Sequence, residues 1–201
     1  MLDDAAREAA DRFAATYAAL RRLEGWVGPN GREDPEGGEP RLWRARLESV
    51  SEAAAAISSQ RTATRRPVVA DIGSGGGWAA RYLQDADVIA IDLIEAQTPL
   101  EVLHVRGDMR RLPVRDATVD VALYAASLHY APIRDSIREA ARVLRPGGLI
   151  VAVDSPMYRD CRAQARAEAP TICMRAAPEA TPAPFPFPTF RPPFTGRLAQ
   201  R

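Results

Sequence analysis

Apolar residues recur at helical spacing between Asp3 and about Leu23, with Ala6, Ala9, Phe13, Tyr17 and Leu20 on one face. That period predicts an amphipathic helix, with Asp3 or Asp4 as N-cap and Arg21 and Arg22 as last-turn cations. Glycines and prolines then crowd residues 25 to 40, a density of breakers that only a loop tolerates. A second helix is predicted from about Arg41 to Ser58, presenting Leu42, Ala45, Val50, Ala53 and Ile57 among charges.

After Pro67 the pattern changes to short β-rich runs separated by turns and helical segments. The runs are Val68–Ile72, Val88–Asp92, Val102–Val105, Val119–Tyr124 and Leu149–Val153. Their alternation with helices predicts an α/β fold, a parallel sheet of about five strands with helices on both faces. A helix is expected over Trp78–Leu83. Another, carrying Ile133, Ile137, Ala140, Ala141 and Leu144, should stop at Arg145-Pro146-Gly147-Gly148, where the chain turns into the fifth strand. A last helix is expected over Tyr158–Ala169. Beyond it, eight of the 17 prolines and four of the five phenylalanines fall between Pro170 and Phe194, so this segment is expected to be disordered or polyproline II. The pattern thus divides the chain into a helical extension (1–60), a sheet domain (61–169) and a Pro/Phe-rich tail (170–201).

Composition narrows the function. With 27 basic against 26 acidic residues there is no bulk electrostatic footprint for nucleic acid or an anionic membrane. No run approaches a membrane span, and the acidic start of the chain lacks the basic and apolar regions of a signal peptide, so a cytoplasmic location is expected. Cys161 and Cys173 have no second Cys/His cluster near them, so unpaired thiols and no metal site are expected. Every basic residue is Arg, and the absence of lysine excludes a phosphate-binding G-K-[ST] loop.

The strongest chemical signal is Asp71-Ile72-Gly73-Ser74-Gly75-Gly76-Gly77, a buried strand running into a glycine turn ahead of a helix. Glycines let a backbone approach a ligand closely, and the helix start offers free N–H groups. The dinucleotide fingerprint fails when started at Gly73, because Trp78 holds its third position, yet G-x-G-x-x-A fits from Gly75 to Ala80. The glycines alone therefore leave a nucleotide-dependent oxidoreductase open. Three acids change the balance. Asp71 precedes the first glycine by two residues, Asp92 ends the second strand, and Asp108 follows the third. Carboxylates at three successive strand ends suit a ligand with an amine, a sulfonium and a ribose better than a pyrophosphate.

Between about Pro67 and Asp154 the sequence resembles the class I S-adenosylmethionine-dependent methyltransferases, in particular the small-molecule branch that includes the ubiquinone and menaquinone enzymes. Asp71 to Gly77 is similar to the family's first motif, Asp92 to its ribose-binding acid, and Gly107-Asp108-Met109 to its adenine corner. Asp116 to Leu123 is similar to its approach to strand four, and Ala140 to Ile150 to its helix-to-fifth-strand segment. The resemblance implies that Gly73, Gly75 and Gly77 cradle the methionine portion of S-adenosyl-L-methionine. It implies further that Asp92 binds the ribose and that Asp108 with Met109 frames the adenine, with Leu93 beside the ribose acid as cover.

The same resemblance places His129 and Tyr130 opposite the reactive methyl, where His129 would deprotonate or orient a small-molecule acceptor, or simply pack at a helix edge. Tyr17, Trp26 and Trp43 are expected to form a lid over that acceptor, although the Phe13/Tyr17 stripe also suits a core. His104 is expected to be structural, and Asp154 to contact substrate or to cap the next helix.

The chain departs from the family in two places. Only nine residues separate Asp92 from Val102, too few for a full crossover helix. After Asp154 the last two strands of the family are not evident, so strand five is expected to be an exposed edge through which copies self-associate. A reading-frame change or truncation is the expected origin of the tail, against a natural interaction tail. The second functional expectation is accordingly a cofactor-binding but catalytically incomplete protein.

Overall fold

The structure is a computed structural model and describes residues 4–26, 39–94 and 102–155. The expected helix at 158–169, both cysteines and the Pro/Phe-rich tail lie outside these residues, as does most of the Gly/Pro-rich loop. The elements run α1 (Asp4–Leu23), α2 (Pro40–Ser58), β1 (Val68–Ile72), β2 (Asp87–Asp92), β3 (Leu103–Arg106), β4 (Val119–Ala125), α3 (Ile133–Val143) and β5 (Leu144–Val153). Among the described residues, no helix is long and apolar enough to cross a membrane.

All five strands pair in parallel, in the order β3-β2-β1-β4-β5. The β2–β3 register, with Asp92 opposite Arg106, holds despite the short connection. Period-two alternation along the central strands gives the sheet two apolar faces. Val69, Val121 and Leu123 pack with Trp43, Val50, Ala53 and Ile57 of α2, whereas Ala70, Ala122 and Tyr124 pack with Ala140 and Val143 of α3. The expected Rossmann-like sheet covered on both faces is therefore present. β5 is the outer strand among the described residues.

Three local expectations need correction. The helix expected at 78–83 is a four-residue 3-10 turn, Ala79–Tyr82, with Trp78 and Leu83 buried beside it. Arg145-Pro146-Gly147-Gly148 does not separate α3 from the strand. β5 begins directly at Leu144, opposite Val119, and resumes regular pairing with Leu149 opposite Val121, so the four residues form an irregular bulge. Trp26 and Trp43, expected in a lid, are 6% and 1% exposed and belong to the core under α2.

The end of α1 accounts for Trp26. The Trp26 N–H donates to the Arg21 carbonyl and the Gly25 N–H to the Arg22 carbonyl, with Gly25 at φ 81°, a Schellman close to the helix. The turn drives Trp26 inward, edge to face with Trp43 at 5.7 Å, while Trp43 meets Trp78 at 5.0 Å. The Arg46 guanidinium lies 3.6 Å over the Trp26 ring.

Trp43 is thus a structural residue, and truncating it should show this. Trp43→Ala is expected to destabilise the fold by about 3–5 kcal/mol in urea denaturation. Trp43→Phe should cost far less, since the indole N–H has no hydrogen-bond partner to lose. A near-neutral Trp43→Ala would restore the lid assignment.

Candidate functional site

In a parallel sheet the strand order reverses between β1 and β4, and the crevice outside their carboxyl ends is where the backbone leaves room for a ligand. The turn after β1 fills this crevice. Gly73, Gly75 and Gly77 take φ values of 71°, 54° and 71°. At Gly73 a Cβ would lie 2.6 Å from the Ser127 Cβ and 3.2 Å from the Met109 Cε, so a larger residue would push the loop off the strand ends. The loop is tied to β2: the Gly73 and Ser74 N–H groups donate to the Ile91 carbonyl, and the Gly75 N–H to Asp92 Oδ2 at 2.7 Å.

A narrow cleft opens here, with about 60 Å³ of enclosed space. Of the residues expected in the site, Gly73, Gly75, Asp92, Leu93, Met109, Tyr17 and Tyr130 line it. Asp71, Gly77, Asp108, His129, Trp26 and Trp43 are not among its lining; Asp71 is buried behind it in β1. Of the other lining residues, Trp78 was expected only as the start of a helix, whereas Gly107 belongs to the expected adenine corner, Ala125 and Ala126 open the segment expected to face the reactive methyl, and Phe13 was read as core or lid. Ala126 carries a backbone signal, φ 58°, that no sequence pattern announces. For a non-glycine residue this conformation costs energy and clusters at functional sites.

The acids behave differently from one another. Asp71 is fully buried in β1, and among the described residues neither of its carboxylate oxygens has a hydrogen-bond partner. Burial, and secondarily the nearby Asp92 charge, pushes its carboxyl up to about 7. A carboxylate left this way is a site that a cation would relieve. Asp92 accepts the Gly75 N–H through Oδ2 and, through Oδ1, the Ile94 N–H at 3.0 Å, which fixes its carboxylate at the end of β2 beside the loop. Asp108 is held by Arg110, which donates Nε and Nη2 to it at 3.0 and 2.6 Å. Partial burial would raise the Asp108 carboxyl, but the Arg110 contacts outweigh it and hold the carboxyl below its ordinary value.

His129 is pushed down to about 4, by burial first and then by the charges of Arg21 and Arg46. It is neutral at pH 7 and a weak base, which favours an orienting over a proton-abstracting part. His129 stacks on Tyr130 at 4.2 Å, and Tyr130 meets Tyr17 edge to face at 6.0 Å. Asp154, at φ 53°, accepts the Ser49 hydroxyl of α2 at 2.9 Å, and His104 sits within β3.

α1 covers the cleft with Phe13 and Tyr17. Toward its start, Asp11 pairs with Arg106 at 2.7 Å, and Arg106 also donates to the Leu93 carbonyl. Toward its end, Arg21 donates to the Tyr130 hydroxyl. Leu20 and Leu23 remain exposed. Among the described side chains of α1, those at the cleft rim make polar and aromatic contacts, whereas α2 is anchored by Trp43, Val50 and Ile57.

Comparison with known proteins places this geometry. A family model described as "Hypothetical methyltransferase" matches residues 48–167. The chain is 40% identical over 96 residues to ribosomal RNA-processing protein 8 of Rattus norvegicus, a match covering 47% of this chain and 20% of that protein. It is 33% identical over 87 residues to malonyl-[acyl-carrier protein] O-methyltransferase of Dechloromonas aromatica, covering 40% of this chain and 33% of that protein. The matches thus span a third or less of these relatives. The fold matches that of a candidate methyltransferase from Bacillus halodurans C-125, with a TM-score of 0.50 at 23% identity, covering 59% of this chain and 56% of that one.

Two outcomes follow from the site itself. Folded Asp71 keeps its proton to higher pH than the unfolded chain does, so stability falls as pH rises from 3.8 to about 7. Asp71→Asn removes that dependence. Relative to wild type, the variant should gain about 2–3 kcal/mol more at pH 8 than at pH 5, read by denaturation at the two pH values; a constant difference would mean that Asp71 titrates normally. In amide exchange, α1 should open well before α2, and equal protection would make α1 part of the core.

Proposed function

The chain belongs to the hypothetical methyltransferase family matched over residues 48–167, and on that premise we propose that it transfers the methyl group of S-adenosyl-L-methionine to a small-molecule acceptor. The observation that carries the reading is the buried, unpartnered Asp71 carboxylate beside a glycine loop, with Asp92 next to it. An amine-bearing sulfonium nucleoside matches this donor set. Its cationic groups relieve Asp71, and its ribose hydroxyls donate to the Asp92 carboxylate, which lines the cleft. A pyrophosphate, by contrast, would add negative charge beside two acids.

In this reading Asp71 provides the charge that draws the amine, and Gly73 and Gly75 bring the backbone close. Asp92 orients the ribose, while Leu93 and Met109 supply apolar cover. Gly77 shapes the loop from behind, and the Asp108 carboxylate, occupied by Arg110, holds the adenine corner in shape. S-adenosyl-L-methionine supplies a methyl group already activated on sulfur, so the sulfur–methyl bond breaks as the acceptor forms its own and S-adenosyl-L-homocysteine departs. The acceptor end is walled by Tyr17 and Tyr130, with His129 holding Tyr130 in place. Since about 60 Å³ is enclosed and a ligand of this size needs roughly 300 Å³ or more, Phe13 and Tyr17 withdraw as it enters.

The covering helix and aromatic walls support a small acceptor. A nucleic-acid acceptor is the second reading, favoured by the similarity to ribosomal RNA-processing protein 8. Calorimetric titration of the full chain with S-adenosyl-L-methionine beside NAD should show binding of the first only. Asp92→Ala should weaken it at least about tenfold, the scale of one charge-assisted hydrogen bond. Unchanged affinity in a folded variant would sink the assignment. Labelled methyl appearing in low-molecular-weight acceptors supports the small-molecule reading, label in RNA replaces it, and binding without transfer to either marks a catalytically incomplete protein.

A further inference from the structure

At the acceptor end of the cleft stands a group that the methyl-donor reading leaves unused. Arg21, in the last turn of α1, has the sequence position of a helix-terminal surface cation, yet it is only 9% exposed. Its guanidinium lies 4.7 Å from the centre of the Tyr17 ring, donates through Nη2 to the Tyr130 hydroxyl oxygen, and donates through Nη1 to Glu24 at 2.6 Å. Its Nε is buried and has no hydrogen-bond partner. Burying a guanidinium is expensive unless its donors are used, and one of these donors acts on a tyrosine that lines the cleft.

The consequence falls on Tyr130. With its oxygen accepting from a cation, the hydroxyl becomes a polarised donor. The hydroxyl of Tyr17, its acceptor in the structure, is 3.4 Å away, a long and weak contact. An oxygen atom entering the cleft would offer a better one. The electrostatics agree in sign. Arg21 and Arg46 both act on His129 as positive charges, whereas elsewhere the cleft is lined by Asp92, with Asp71 buried near it. Glu24 offsets part of the Arg21 charge from a position 27% exposed to water, where its field is screened.

We propose that Tyr130, backed by Arg21 and flanked by Tyr17, forms an oxyanion subsite that selects methyl acceptors carrying a carboxylate. The proposal rests on the methyltransferase reading, because it assigns the remaining end of the same cleft. Tyr130 is the contact residue and Arg21 the positioning residue behind it. A carboxylate accepts the polarised hydroxyl and gains from the buried cation at short range. The corresponding amide is neutral and gains neither in full.

The test uses the full chain saturated with S-adenosyl-L-homocysteine, titrated with benzoate, phenylacetate and hexanoate and with the matching amides. Binding of S-adenosyl-L-homocysteine is measured first, and its failure would count against the methyltransferase reading rather than the subsite. Given that binding, at least one acid should bind ten times or more tighter than its amide. Tyr130→Phe and Arg21→Gln should each bring that ratio close to one, and Arg21→Lys, which keeps the charge without the fork, should restore part of it. A merely structural Arg21 would weaken acid and amide alike and leave the ratio where it was. Tyr130→Phe removes a single oxygen and serves if Arg21→Gln does not fold. Equal binding of acids and amides by the wild type, no acid binding by the loaded protein, or a ratio that survives in Tyr130→Phe would overturn the proposal.

Discussion

A parallel sheet covered on both faces leaves its polar side chains few places to go but the strand ends, and the organisation of this molecule follows from that constraint. β4 is buried along its whole length, and α2 and α3 seal the two sides. The amino and carboxyl ends of the central strands then receive opposite treatment. At the amino end, Asp120 of β4 accepts two bonds from Arg65, one from Arg145 and one from the Val68 N–H. Its carboxyl lies far below the ordinary range, with Arg65 the largest cause. At the carboxyl end, Asp71 of the neighbouring strand has no partner, and its carboxyl is pushed up by burial. The residue type is the same and the sheet is the same. One acid is satisfied and closes the fold, while the other stores a cost that a cation can release.

Much of this was legible in the sequence because it is local. Short β-rich runs between turns and helices placed all five strands within a residue or two at most ends, and the break pattern at Gly25 marked the close of α1. The D-x-G-x-G-x-G turn identified the crevice before any topology was known, since a chain takes three left-handed glycines only where it must turn tightly. Asp71 stood out for a related reason: an acid inside an otherwise apolar strand conflicts with its surroundings, and such conflicts concentrate at functional positions.

What escaped the sequence depends on contacts between distant segments. Trp26 and Trp43 flank a loop, which suggested a lid, but the Schellman turn and the Trp78 ring draw them into the core. Asp108 matches its motif, yet the neighbouring Arg110 claims its oxygens, a competition that spacing does not rank. The 145–148 segment reads as a stop because it holds Pro and two Gly, and the structure absorbs it as a bulge in β5. Arg21 is the sharpest case. By position it is a last-turn cation serving the helix dipole, and only the approach of Tyr130, 109 residues away in sequence, turns it inward.

The two N-terminal helices, alike in length, therefore do different work. α2 buries Trp43, Val50, Ala53 and Ile57 against the sheet, a set of contacts comparable in size to the whole margin of about 5–15 kcal/mol by which small domains are usually stable. α1 turns Phe13 and Tyr17 toward a cleft and is tied by the Asp11–Arg106 pair along its length and by the Arg21–Tyr130 contact in its last turn. An exposed pair of the first kind is worth roughly 0–1 kcal/mol, so the Phe13–Tyr17 stretch of α1 can shift at the cleft while the closing turn keeps Trp26 in the core. The same geometry makes its closure responsive to what lies beneath. The residue that latches α1, Tyr130, is also a wall of the cleft, and a ligand oxygen taking the Tyr130 proton leaves the Arg21 bond to the same oxygen intact. Occupation of the acceptor end therefore strengthens the latch, whereas occupation beside Asp92 requires the cover to lift, and one helix can serve both needs because Phe13 and Tyr17 stand outside the two buried core clusters.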